Sequence, residues 1–120
     1  MAGIKTILYV DDHPPARLLM TAIIGDLTDY RVITAENGEE AIRLATRENP
    51  DLYILDLDLP DTDGATLAEQ LVALHPAPVI VVSAYAEAIT RDRFSHIVTT
   101  YLPKPLDPDH VAETLKRALG

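Results

Sequence analysis

Residues 7–12 read Ile7-Leu8-Tyr9-Val10-Asp11-Asp12, a continuous apolar run that stops on two carboxylates. The run does not alternate, so it predicts a strand covered on both faces rather than one with a wet side. The pattern recurs. Leu52-Tyr53-Ile54-Leu55 leads into Asp56, and Val79-Ile80-Val81-Val82 leads into Ser83. A shorter run, Ile97-Val98, extends through Thr100 to Tyr101-Leu102 and then meets Lys104-Pro105. Tyr30-Arg31-Val32-Ile33-Thr34-Ala35 is a more polar strand candidate, placed nearer the sheet edge. Five strands are expected.

Between the runs, apolar residues fall at helical spacing. The stripes are Ala16, Leu19, Ile23 and Leu27; Ala41, Leu44 and Ala45; Leu67, Leu71 and Leu74; and Val111, Leu115 and Ala118. Punctuation agrees with them. Asn37 with Glu40 three residues on reads as a capping box, and Asp107-Pro108 supplies an N-cap followed by proline in the first turn. Lys116 and Arg117 suit a helix C-terminus, and Gly120 follows. Residues 86–94 are helical in pattern but thinly anchored, with Ile89 and Phe94 the main apolar contacts. Regular strand–helix alternation predicts an α/β fold: a doubly wound parallel sheet with right-handed crossovers and helices on both faces. Ligands of such sheets bind beyond the carboxyl ends of the strands.

Composition narrows the function. At 120 residues the chain fits one domain, expected over 1–120. No apolar run is long enough for a membrane span, the first residues lack a signal-peptide core, and there are no cysteines, so a cytoplasmic protein is the expectation. The formal charge of −9, with Lys116-Arg117 the longest basic cluster, argues against direct nucleic-acid binding. The acidity either keeps a small domain in solution or gathers carboxylates at a cation site.

Position supports the second. Asp11, Asp12, Asp56, Ser83 and Lys104 all fall at the carboxyl ends of successive strands, hence at one edge of the sheet. Three carboxylates about 5 Å apart repel by roughly 3 kcal/mol per pair at an effective dielectric of about 20, more than one lysine offsets. A divalent cation offsets it, and oxygen-only ligands suit Mg2+. Such a cluster leaves a carboxylate oxygen available as a nucleophile for phosphoryl transfer, which needs little beyond positioning and charge neutralisation.

With those residues in place the chain resembles the receiver domain of two-component response regulators. The resemblance rests on Val10-Asp11-Asp12, on Asp56 with Pro60 and Gly64 four and eight residues on, on Ser83-Ala84, and on Tyr101 ahead of Lys104-Pro105. It covers the whole chain and implies the strand order 2-1-3-4-5 with a flavodoxin-like winding. It implies a phosphorelay switch in which Asp56 accepts a phosphoryl group from a histidine kinase or histidine phosphotransfer protein. Asp12 and Asp56 would hold Mg2+ directly with the backbone carbonyl of Asp58, and Asp11 through a metal-bound water. Lys104 would pair with the acceptor and then the phosphoryl group, before a cis Lys104–Pro105 bond. Ser83 would move toward the phosphoryl oxygens and Tyr101 would swing inward. The output face would comprise residues 86–101 and the final helix, engaging a downstream protein or a second copy. The domain would not be an enzyme, catalysing only its own phosphorylation and dephosphorylation. His96-Ile97-Val98 departs from the small residues usual before the fifth strand, and Asp58 and Tyr85 fall at variable positions that influence phosphoryl lifetime in the family.

Other readings fit less well. Tyr101 alone also reads as a core aromatic, and His13, His75, His96 and His110 show no ligand spacing and read as surface residues. Asp61-Thr62-Asp63-Gly64 resembles part of a calcium loop, but aligning its glycine puts Leu59 first and Gln70 twelfth, where acids are required. Asp56-Leu57-Asp58 resembles the aspartate pair of haloacid-dehalogenase-type phosphohydrolases, which follows the first strand there and the third here. A receiver-like module that is never phosphorylated usually lacks an acidic residue or the lysine; this chain has all of them.

Overall fold

The structure, a computed structural model, describes residues 3–57, 63–84 and 97–120. In chain order the described elements are β1 (Thr6–Val10), α1 (Pro14–Leu27), β2 (Arg31–Ala35), α2 (Gly38–Glu48), β3 (Leu52–Asp56), α3 (Gly64–Leu74), β4 (Val79–Ser83), β5 (Val98–Pro103) and α4 (Pro108–Leu119). The five strands form one parallel sheet in the order β2-β1-β3-β4-β5, as expected, with the polar strand β2 at an edge. The helix expected over residues 86–94 lies outside the described residues.

Alternation along the buried strands divides the core. Leu8, Val10, Tyr53, Leu55, Val79 and Val81 pack with Ala41 and Ala45 of α2 and Leu67, Ala68 and Leu71 of α3. Ile7, Tyr9, Leu52, Ile54, Ile80 and Val82 pack on the other face with Met20, Ile23 and Ile24 of α1 and Val111 and Leu115 of α4. Every residue of β1, β3 and β4 is buried, which is why their sequences run apolar without a break.

Two helical stripes need correction. On α1 the buried residues are Met20, Ile23 and Ile24, whereas Leu19 and Leu27 are partly exposed. Leu18, Leu19, Met20, Ile23, Ile24 and Leu27 leave this helix apolar around much of its girth, so spacing alone did not fix the inner face. On α3, Leu67 and Leu71 are buried but Leu74, in the last turn, is exposed.

Helix ends are held as the sequence indicates. The Asn37 side chain accepts from the Glu40 N–H at 2.8 Å, and Glu40 reaches back to the Glu36 N–H at 3.2 Å, one residue beyond the usual capping-box donor. Asn49 closes α2 in the left-handed region at φ 48°, a conformation asparagine tolerates. Asp107 caps α4 through the Asp109 N–H.

The buried Tyr53 hydroxyl ties β3 to the end of α3, donating toward the carbonyls of Leu71 and His75 at 3.1 and 2.7 Å. Burial pushes its pKa from 10.0 up to about 12. Burial, reinforced by the hydrogen bond to Asp11, likewise raises Tyr9. A pKa raised by folding gives stability that is complete below the unfolded value and disappears as pH rises through the folded one. The unfolding free energy from urea titration should therefore hold steady to about pH 10 and fall by on the order of 2 kcal/mol toward pH 12, lowering the midpoint, with Tyr53→Phe flattening part of that fall. A wild-type midpoint unchanged between pH 10 and 12 would contradict this.

Candidate functional site

The carboxyl ends of β1 and β3 lie side by side because the two strands pair in register, Val10 against Leu55. Asp11 and Asp56 therefore emerge together, both fully buried, while Asp12 stands at the rim. Asp11, Asp12, His13 and Asp56 each offer one ligand atom, and these atoms all lie within 4.8 Å of one another. From the next strand ends, Lys104 brings its Nζ to 3.3 Å from Asp56 Oδ2, and Ser83 is buried at the end of β4. The Lys104 backbone N–H donates to the Ser83 carbonyl at 3.3 Å, and the Lys104–Pro105 peptide is cis, as expected.

The two adjacent aspartates are held differently. Asp11 is saturated locally: Oδ2 accepts from the Tyr9 hydroxyl, and Oδ1 accepts from the His13 backbone N–H at 2.9 Å. Asp12 Oδ1 is buried and has no hydrogen-bond partner among the described residues; His13 Nδ1 stands 3.1 Å away without hydrogen-bond geometry. An orphaned buried carboxylate oxygen is costly unless something positive meets it. Three carboxylates face one lysine, and oxygen donors of this kind suit a hard divalent cation, so the residues present fit a magnesium site.

Several positioning groups were not legible in the sequence. Arg17, one turn into α1, donates from Nη1 to the Asp11 backbone carbonyl at 2.8 Å and brings a second positive charge to the cluster. Tyr9 reads as one more apolar residue of β1; only the i, i+2 relation on one strand face betrays that its hydroxyl can reach Asp11. His13 is a surface residue, its side chain 65% exposed, yet its Nδ1 faces both aspartates. Its position directly after Asp12 was the available signal.

Asp58 lies outside the described residues, as do Pro60 and Tyr85. Tyr101 is half-buried on β5 and packs against the core layer of α2 and α3 with Ile97 and Val98. Beside the site a groove of about 340 Å³ is lined by Tyr9, His13, Ala16, Leu19, Lys104, Pro105 and Leu106.

A family model for the response regulator receiver domain matches residues 7–116. The chain belongs to the response regulator receiver family. Members of this family are regulatory phosphoacceptors of two-component systems, phosphorylated on an aspartate, and bind Mg2+ in the acidic site. This receiver domain is 30% identical over 117 residues to sporulation initiation phosphotransferase F of Bacillus subtilis, covering 96% of this chain and 94% of that one. It is 34% identical over 114 residues to the positive alginate biosynthesis regulatory protein of Pseudomonas aeruginosa, covering 93% of this chain but 46% of the relative. A methylesterase/glutaminase of Methanospirillum hungatei matches at 40% over 78 residues, 64% of this chain and 22% of the relative. The chain thus spans less than half the length of several curated relatives. Among solved structures, the receiver domain of a Pseudomonas aeruginosa sensor histidine kinase, with a magnesium ion coordinated in its active-site cleft, superposes with a TM-score of 0.86 at 28% identity, covering 98% of this chain and 99% of that one. Among the described residues, no helix is long and apolar enough to cross a membrane.

Proposed function

We propose that residues 1–120 form a receiver domain whose Asp56 accepts a phosphoryl group from a histidine kinase or histidine phosphotransfer protein, and whose partner-binding surface changes as a result. The observation that carries this reading is the buried Asp56 carboxylate, within 4.8 Å of two further aspartates and 3.3 Å from Lys104 Nζ. An aspartate so placed is oriented for attack and shielded from its neighbours' charge only when a cation is shared among them.

Asp12 and Asp56 would hold Mg2+ directly, Asp58 would contribute its backbone carbonyl, and Asp11, whose two oxygens already accept hydrogen bonds, would act through a bound water. When bound, the ion neutralises charge on the carboxylates and on the incoming phosphoryl oxygens. An Asp56 oxygen attacks phosphorus, the bond from phosphorus to the donor's imidazole nitrogen breaks, and that nitrogen keeps the electron pair, leaving as neutral imidazole because the other ring nitrogen carries a proton. Lys104 stays with the phosphoryl group and offsets its added charge, about one unit. Return to aspartate is attack by water on phosphorus, so the only chemistry is the domain's own phosphorylation and dephosphorylation. The apolar groove between the start of α1 and the Lys104–Leu106 segment, lined in part by the half-exposed Leu19, supports docking of the phosphodonor protein there. The acidic charge supports a protein rather than nucleic-acid partner, in the cytoplasm.

Acetyl phosphate with Mg2+ should label the protein, while a generic phosphomonoester should not be turned over. Turnover without a labelled protein would point to a hydrolase, and no label at all to a module that is never phosphorylated. For output, Ser83 would approach the phosphoryl oxygens and Tyr101 would move inward, redirecting a face made of residues 86–101 and α4 toward a downstream protein or a second copy. A near-complete switch needs about 5.5 kcal/mol of differential interaction, which hydrogen bonds to a charged phosphoryl group supply in part. Ser83→Ala should keep labelling but shrink the beryllofluoride-induced amide shifts of β5 and α4. Shifts confined in wild type to loops around Asp11, Asp56 and Lys104 would place the output face elsewhere.

A further inference from the structure

The His13 imidazole is oriented as a donor to the same centre as the aspartates, although nothing in the phosphoryl chemistry above uses it. Its Nδ1 lies 3.1 Å from Asp12 Oδ1 and 3.3 Å from Asp11 Oδ1. One ring N–H can satisfy one of these acceptors, which leaves the other exposed to a like charge, and Asp12 Oδ1 is the oxygen left without a hydrogen-bond partner. A cation held between His13 Nδ1 and Asp12 Oδ1 meets both atoms at once, while Asp11 keeps its hydrogen bonds and acts through a bound water. With metal–ligand distances of about 2.1 Å, neighbouring donors in an octahedron stand about 3.0 Å apart and those in a tetrahedron about 3.4 Å apart. The 3.1 Å separation of His13 Nδ1 and Asp12 Oδ1 falls between these values.

The backbone holds the ring there. His13 is the N-cap of α1, in an extended conformation at φ −96° and ψ 115°, and its N–H is anchored on Asp11 Oδ1 at 2.9 Å. Its side chain makes no capping hydrogen bond, so the ring is not engaged by the helix it precedes. A ring 65% exposed at the rim of the cluster is also open to a hydrated ion arriving from solvent.

Ligand chemistry then separates two classes of metal. Magnesium takes oxygen and gains little from an imidazole nitrogen, whereas zinc, nickel and cobalt favour it. We propose that His13 Nδ1 is a metal ligand that makes this acidic site a binding site for borderline divalent transition metals, in competition with Mg2+. The inference rests on the metal-site reading above and adds to it a nitrogen donor and a selectivity.

The test is isothermal titration of wild type and His13→Gln with Zn2+ alone and with Mg2+ alone, together with long-range proton–nitrogen spectra of the histidine rings during the Zn2+ titration. His13→Gln keeps the backbone N–H that binds Asp11, so the pocket is retained; circular dichroism verifies the fold. The substitution should weaken Zn2+ on the order of tenfold to a hundredfold and alter Mg2+ affinity by less than about twofold. In wild type the His13 Nδ1 resonance should shift at the first equivalent of Zn2+, ahead of the rings of His75 and His110. Equal Zn2+ affinity in the two proteins, or an unshifted His13 Nδ1 while Mg2+ still binds, overturns the inference and leaves the magnesium site standing. Zn2+ binding through His13 without measurable Mg2+ binding upholds the inference and sinks the magnesium assignment. Failure of both ions to bind removes both.

Discussion

Asp56→Asn should abolish labelling by acetyl phosphate and by any donor kinase while the protein stays folded. The amide keeps the size of the side chain but has no nucleophilic oxygen. Asp56 is fully buried at the end of β3, so the substitution also removes a buried charge from a crowded cluster. The apo protein should therefore melt no earlier than wild type, even though Lys104 loses its 3.3 Å partner. Circular dichroism and a phosphoprotein mass spectrum read the two effects separately. Undiminished labelling of a folded Asp56→Asn protein would mean that another residue accepts the phosphoryl group.

Asp12→Ala should have opposite effects on folding and on chemistry. Its Oδ1 is the orphaned oxygen of the site, beside two buried carboxylates. Removing it relieves repulsion in the metal-free protein, a gain on the order of 1 kcal/mol for a side chain at the solvent rim. It also removes the carboxylate with the most to gain from a cation, so Mg2+ affinity and labelling should fall on the order of a hundredfold. Saturating Mg2+ should raise the melting temperature of wild type but not of the variant, because a ligand stabilises only the form that binds it. A variant that melts lower than wild type in a chelator, yet is stabilised by Mg2+ to the same degree, would reverse the role assigned to Asp12.

Most of the fold was readable because buried parallel strands leave uninterrupted apolar runs and because their carboxyl ends gather at one edge. That single geometric rule took Asp11, Asp12, Asp56, Ser83 and Lys104 from scattered positions to one cluster. The inner face of α1 was not readable, since a helix apolar on several sides presents more than one candidate stripe and only its neighbours choose. Arg17 and Tyr9 escaped for a different reason. Each acts through a hydrogen bond to Asp11 set by the local path of the chain out of β1 and into α1, which residue type does not advertise and only the i, i+2 spacing of Tyr9 hints at. His13 is the surface residue its sequence suggested, and what spacing did not reveal is that its Nδ1 turns back toward the two aspartates that precede it.

Locating the label by tandem mass spectrometry, after exposure to acetyl phosphate with Mg2+ and with a chelator, tests the central claim most directly. The account predicts a single acid-stable, base-labile phosphoryl group on Asp56, formed with Mg2+ and lost when all divalent cations are chelated. A label on any other residue, or one on Asp56 that forms at the same rate in the chelator, would contradict it.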